Sequence, residues 1–165
     1  MSINKYKPHL LVLPEDDATR QIANGFIFAQ GLGLDNRVIQ ILPYVGGWKK
    51  VLEDFIGSHF YEMHKYPDRM MVLLIDFDNN PETRLLFIKE MIPTDIQARV
   101  FVLGVWSEPE NLRSALGSAG FEKIGVDLAQ DCYDNTNNLW GHELLKHNEA
   151  ELRRMILSVK PFLFA

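Results

Sequence analysis

The sequence has a single cysteine, Cys132. No intrachain disulfide can form, no multi-cysteine zinc centre can be built, and the chain suits a reducing compartment. Long apolar runs are also missing. The longest, Met70–Ile75, is far short of the roughly 20 residues that span a bilayer, and the N-terminal MSINKYKPH has no apolar core of a signal peptide. A soluble, cytoplasmic protein with no membrane association is the expectation. Positive charge is in deficit: 17 Lys+Arg stand against 22 Asp+Glu, a formal net charge of −5. A domain that grips nucleic acid by bulk charge is thereby disfavoured, so a polynucleotide partner would need metal ions or another subunit. Gly-x-x-x-x-Gly-Lys and Gly-x-Ser-x-Gly are both absent, which removes a self-contained phosphate-loop ATPase and a serine hydrolase of the elbow type.

What is present is ordinary globular material, 47% apolar and 24% charged over 165 residues, enough for one core. Short aliphatic runs alternate with segments of helical period, the pattern of a parallel sheet covered by helices. The expected strands are His9–Leu13, Arg37–Leu42, Met70–Ile75 and Val100–Val105. After the first, Pro14 and the acids Glu15, Asp16 and Asp17 suit the first turn of a helix. That helix continues through Ile22 and Phe26 to Ala29 or Gln30. Gly46-Gly47 permits a turn, and Trp48, Val51, Leu52, Phe55, Ile56, Phe60 and Met63 recur as one long amphipathic helix. Asn79-Asn80-Pro81 reads as turn, N-cap and first helical residue, while Ser107 and Glu110 stand as a capping box. Leu112, Ala115 and Leu116 start a helix that Gly117 or Gly120 ends. Past Gly125 the pattern weakens into the polar Asp131–Asn138, followed by helical pieces at Trp140–His147 and Glu149–Val159. The fold class is therefore α/β: one domain over 1–165, with a mostly parallel sheet of about four strands in a core at 9–120 and a helical extension at 121–165.

In open α/β sheets ligands collect at the carboxyl ends of the strands, and the acids stand there. Glu15 follows strand one; Asp76 and Asp78 follow strand three. In an extended Asp-x-Asp both side chains face one way, and Glu15 would join them if strands one and three are neighbours. Such an all-oxygen site suits Mg²⁺ or Mn²⁺, ions that serve phosphoryl chemistry.

Strand–Glu15–helix, then VIQILPYVGGW entering a long helix, then MMVLLIDFDNN, resembles the TOPRIM domains of topoisomerases, primases and overcoming-lysogenization-defect nucleases, over about residues 9–105. The resemblance implies that Glu15 serves as general base or acid and metal ligand, and that Asp76 and Asp78 bind Mg²⁺. The Gly46-Gly47 turn matches a glycine those nucleases place after their second strand. Asp16 and Thr19 stand where the nuclease branch often carries glycine and a further acid, so Asp16, Asp17 or Glu108, which follows strand four, is left to supply a second metal's ligand. A metal-dependent nuclease follows as the expectation, working with an ATPase partner, fused or separate, in defence or DNA processing.

Two other readings stand beside it. One is a non-enzymatic interaction subunit whose acids cap helices. The other is a receiver-like phosphoacceptor, which LLVLPEDDATR and Lys160-Pro161 resemble, but the 60 residues from Asp16 to Asp76 are too many and Lys160 follows a helical segment. His142 and His147 resemble a zincin pair but are five apart, about 140° around a helix where four apart gives about 40°; His59 and His64 share that offset. Lys49 and Lys50, at the start of the second helix, are the candidate phosphate contacts, with Lys123 and Lys146 weaker. The apolar end Val159–Ala165 is expected either to dock on its own sheet or to mark a partner contact, such as a homo-oligomer.

Overall fold

A computed structural model describes residues 3–29 and 38–164. Its centre is a parallel sheet of β1 (His9–Pro14), β2 (Ile39–Ile41), β3 (Arg69–Leu74) and β4 (Val100–Leu103) in the order β2-β1-β3-β4. The first and third strands are neighbours, in register from His9 opposite Arg69 to Pro14 opposite Leu74. Their apolar residues alternate with the strand period of two. Leu10, Val12 and Val72 enter one core layer, while Leu11, Leu13, Met71 and Leu73 enter the other. Arg37, expected to open the second strand, and Gln30 lie outside the described residues.

Helices cover both faces. Against the second layer pack α2 (Trp48–Asp54), α3 (Phe60–Lys65) and α4 (Pro81–Met91), through Val51, Leu52, Met63 and Ile88. The first layer receives α1 (Asp17–Ile27), α5 (Pro109–Ala115), α6 (Phe121–Asp134) and α7 (Glu149–Leu163). The one long helix expected from Trp48 to Met63 is broken by a five-residue π turn, Phe55–His59. Phe55 and Met63 are both fully buried across that wider turn, and Ile56 is left exposed.

Two regions depart further from expectation. A 14-residue helix, α6, fills the stretch where the sequence pattern fades, and Trp140–His147 is a run of turns leading into a short 3₁₀ helix, Lys146–Asn148, rather than an α-helix. The α6 face toward the core includes Gly125, Ala129 and Cys132 as well as Ile124 and Leu128, so its apolar signal is weak. Gly125 crosses α1 at Gly25: a Cβ on Gly125 would collide with the Ile22 carbonyl oxygen, and one on Gly25 with that of Glu122. Ser107 and Glu110 do not form a capping box, because Glu108 occupies the N-cap ahead of Pro109. Ser107 instead accepts a hydrogen bond from Asn111 Nδ2 at 2.9 Å.

α7 closes the β4 edge with side chains. Glu151 accepts the Val102 N–H (3.2 Å), while Asn148 accepts the Gly104 N–H (3.1 Å) and donates to its carbonyl (2.8 Å). An edge strand's open hydrogen-bonding row is thus occupied, and Lys89 and Arg154 balance the buried Glu151 charge at 3.0 and 2.6 Å. The apolar C-terminal run docks on the chain itself. Val159 and Leu163 are buried, and the Phe164 ring packs near those of Phe26 and Tyr133. Lys160 lies within α7, its ammonium on the Tyr133 carbonyl. No helix among the described residues is long and apolar enough to cross a membrane.

Candidate metal and phosphate site

Because β1 and β3 pair in parallel, the residues just past their carboxyl ends meet. The Asp76 N–H donates to Glu15 Oε2 at 2.6 Å. Glu15 is fixed on its other side by the diglycine turn: Gly46 and Gly47, at φ +90° and +146°, both direct their N–H groups at its main-chain carbonyl (2.8 and 3.3 Å). Positive φ at both positions is what glycine allows and residues with a Cβ resist.

Asp76 is held by the strand on either side of it. The Ile75 and Phe77 N–H groups bond to the Leu103 and Val105 carbonyls (2.9 and 3.0 Å), and both side chains are buried. Extended geometry then stops. Asp78 and Asn79 have φ of +48° and +64°, so Asp78 turns away from the line of the strand. Its carboxylate is 67% exposed and lies 3.9 Å from Arg84 Nη2. The structure therefore brings Glu15 and Asp76 together, and holds Asp78 beside them on a turn rather than in an extended Asp-x-Asp.

The electrostatics follow from this crowding. Burial pushes the Asp76 carboxyl up to about 8, with the neighbouring Glu15 charge adding to the effect and Asp16, Glu110 and Glu108 contributing from further away. Glu15 is raised as well, mainly by burial. Hydrogen bonds from the Asp76 and Trp48 main-chain N–H groups and the Arg84 charge oppose that rise. Asp76 Oδ1 is buried and accepts no hydrogen bond, a costly state for a carboxylate oxygen.

The remaining candidates lie around this pair. Asp16 is the N-cap of α1, its Oδ1 accepting the Thr19 N–H (2.9 Å) and hydroxyl (3.0 Å). Asp17 is exposed and pairs with Arg20. Glu108 is exposed at the N-cap of α5 and makes no capping hydrogen bond with its side chain. Lys49 and Lys50 are exposed at the start of α2, with Lys49 Nζ 5.7 Å from the Trp48 ring centroid. Lys123 and Lys146 are taken up in local pairs with Asp127 and Glu143.

The donor set fits a hard cation such as Mg²⁺ or Mn²⁺. The Glu15 carboxylate lies on the Asp76 main-chain N–H, and the Asp76 carboxyl carries a buried oxygen with no partner. Among the described residues, no three His, Cys, Asp or Glu side chains are grouped as a ready-made metal centre. An ion here would be held by few protein ligands and keep water, as Mg²⁺ commonly does.

His147 Nε2 lies 2.8 Å from the Gly104 carbonyl, its ring packs edge-on against Phe77 and Trp106, and its Nδ1 is buried without a hydrogen-bond partner.

Sequence reasoning passed over Arg84. Three residues past the Pro81 that opens α4, its side chain reaches back along the helix, as helical side chains do. Nη1 donates to the Asp76 carbonyl at 2.6 Å, and the guanidinium carbon sits 4.4 Å from the Trp48 ring centroid. The available signal was a basic residue one turn into the helix that follows the acids. No family model, curated protein or solved structure gives a significant match to the chain.

Proposed function

We infer that this protein is a TOPRIM-like, metal-dependent phosphodiesterase acting on nucleic acid, working with an ATPase partner. The observation that carries the reading is the contact of Glu15 with Asp76 at the carboxyl edge of the sheet, with Asp76 Oδ1 buried and unpartnered. A carboxyl group in that state is poorly accommodated by its own protein and well suited to an ion. Asp76 and Glu15 would hold Mg²⁺ or Mn²⁺, with Asp78 and Glu108 as the further carboxylates in reach of the same edge. The ion, when bound, supplies positive charge against the phosphate and lowers the pKa of water.

The chain's own part is positional. Asp76 is fixed by strand hydrogen bonds on either side, so its carboxylate is presented without reorganisation. Glu15 keeps a raised proton affinity, which suits it to orient a water molecule and take its proton. Lys49 and Lys50 meet flanking phosphates. The net charge of −5 then becomes an argument for metal dependence, since acids gathered at one edge repel a polyanion until cations neutralise them.

Cleavage of plasmid or oligonucleotides in Mn²⁺, alone or with a candidate ATPase partner, is the test. Loss of cleavage in Glu15→Gln and Asp76→Asn is expected; intact substrate under every condition overturns the reading. The interaction-subunit alternative draws on Leu86, Phe87 and Met91, which α4 leaves exposed.

A further inference from the structure

The geometry points to Arg84 as the group that binds the substrate phosphate, with Trp48 as the wall that aims it. This assignment rests on the phosphodiesterase reading and names a residue that neither the sequence pattern nor the resemblance supplied.

Three features of Arg84 carry it. First, the side chain is only 15% exposed yet spends one of its five donors: Nη1 on the Asp76 carbonyl at 2.6 Å. Nε and Nη2 make no hydrogen bond among the described residues, and the Asp78 carboxylate at 3.9 Å is beyond hydrogen-bonding distance. Second, the fork cannot swing freely. Its carbon lies over the Trp48 ring at 4.4 Å, and that ring is itself edge-on to Phe87 at 5.7 Å, a stacked arrangement that guanidinium groups favour and that cuts the entropy lost on binding. Third, the anchor is the main-chain carbonyl of Asp76, so the cation is tied to the residue whose carboxylate presents the unpartnered oxygen.

A fixed guanidinium with unused donors matches two oxygens of one phosphate. Tied to the Asp76 carbonyl, it gives the scissile phosphodiester a cationic contact from the protein, while the Glu15 and Asp76 carboxylates face an ion. Its partial pairing with Asp78 keeps that turn close to the site. A substrate phosphate would replace the loose Asp78 contact with two hydrogen bonds.

Equilibrium binding of a fluorescein-labelled single-stranded 20-mer tests this, in Ca²⁺ to hold cleavage down, over a range of KCl concentrations. Arg84→Met is expected to weaken binding about tenfold or more and to lower the salt slope by roughly 0.7, one phosphate contact on a single strand. Arg84→Lys keeps the slope but not the full affinity, because an ammonium lacks the fork. Arg20→Met makes the same charge change at a half-buried residue of α1 and should leave the slope at its wild-type value. Thermal melts exclude unfolding. Wild-type slope and affinity in Arg84→Met overturn the assignment while cleavage in Mn²⁺ still stands. Absence of both binding and cleavage in the wild type overturns the phosphodiesterase reading and this assignment with it.

Discussion

Replacing Asp76 by Asn should stabilise the metal-free protein, and the gain should depend on pH. In the folded chain the Asp76 carboxyl is pushed up to about 8 from an ordinary value of 3.8. A folded-state pKa raised above the unfolded one means that the folded protein binds the proton more tightly. Below about pH 4 both states are protonated and nothing is lost. As pH rises toward 8 the unfolded chain ionises freely while the folded one resists, so stability falls, and the full cost is present above 8. Fully realised, that shift is on the order of 6 kcal/mol at 1.36 kcal/mol per unit. Solvent reaching the half-buried group lowers it, and about 2–3 kcal/mol is a reasonable expectation. Asn carries no charge to desolvate and feels no repulsion from Glu15. At roughly 2–4 °C per kcal/mol for a chain of this size, Asp76→Asn should melt about 5–10 °C above wild type at pH 9 in EDTA. At pH 4, near the ordinary carboxyl value of 3.8, the difference should shrink to about 1–2 °C. Paired thermal melts by circular dichroism decide it. An unchanged or lower Tm at pH 9, or an equal gain at both pH values, would mean that Asp76 ionisation does not cost the fold stability, since a packing effect has no reason to titrate.

Two further outcomes follow from the fold. Gly125→Ala would press a methyl group into the Ile22 carbonyl at the α1–α6 crossing and should destabilise by about 1–3 kcal/mol or more in urea unfolding; unchanged stability would mean the helices are not in contact there. His9 is fully buried, with Nδ1 on the Lys7 carbonyl and Nε2 accepting from Arg69, and burial lowers its pKa as it does that of His147. The unfolded state therefore takes up protons first as pH drops through about 6.5, and these two side chains cost stability on the acid side. Imidazole NMR shifts should show both titrating below free histidine, and His64, paired with Asp95, above it.

The sheet was legible because a central parallel strand must be apolar on both faces, and MMVLLI satisfies that with no competing period. Once β1 and β3 are neighbours, with Pro14 opposite Leu74, Glu15 stands within side-chain reach of the Asp76 main-chain N–H. What escaped was chemistry that periodicity does not carry. α6 hides its core face behind Gly125 and Ala129, small because α1 approaches closely. The π turn at Phe55–His59 has no composition of its own, and the left-handed φ of Asp78 is a property of the turn before Pro81. Arg84 was passed over because its role depends on Trp48, 36 residues earlier in the chain.

On this reading Glu15 and Asp76 form a site for a divalent cation. Isothermal titration of Mn²⁺ into the wild type and into Asp76→Asn/Asp78→Asn at pH 7.5 tests it most directly. Saturable binding by the wild type and none by the double variant is the expected result. Equal heats from the two proteins would contradict it.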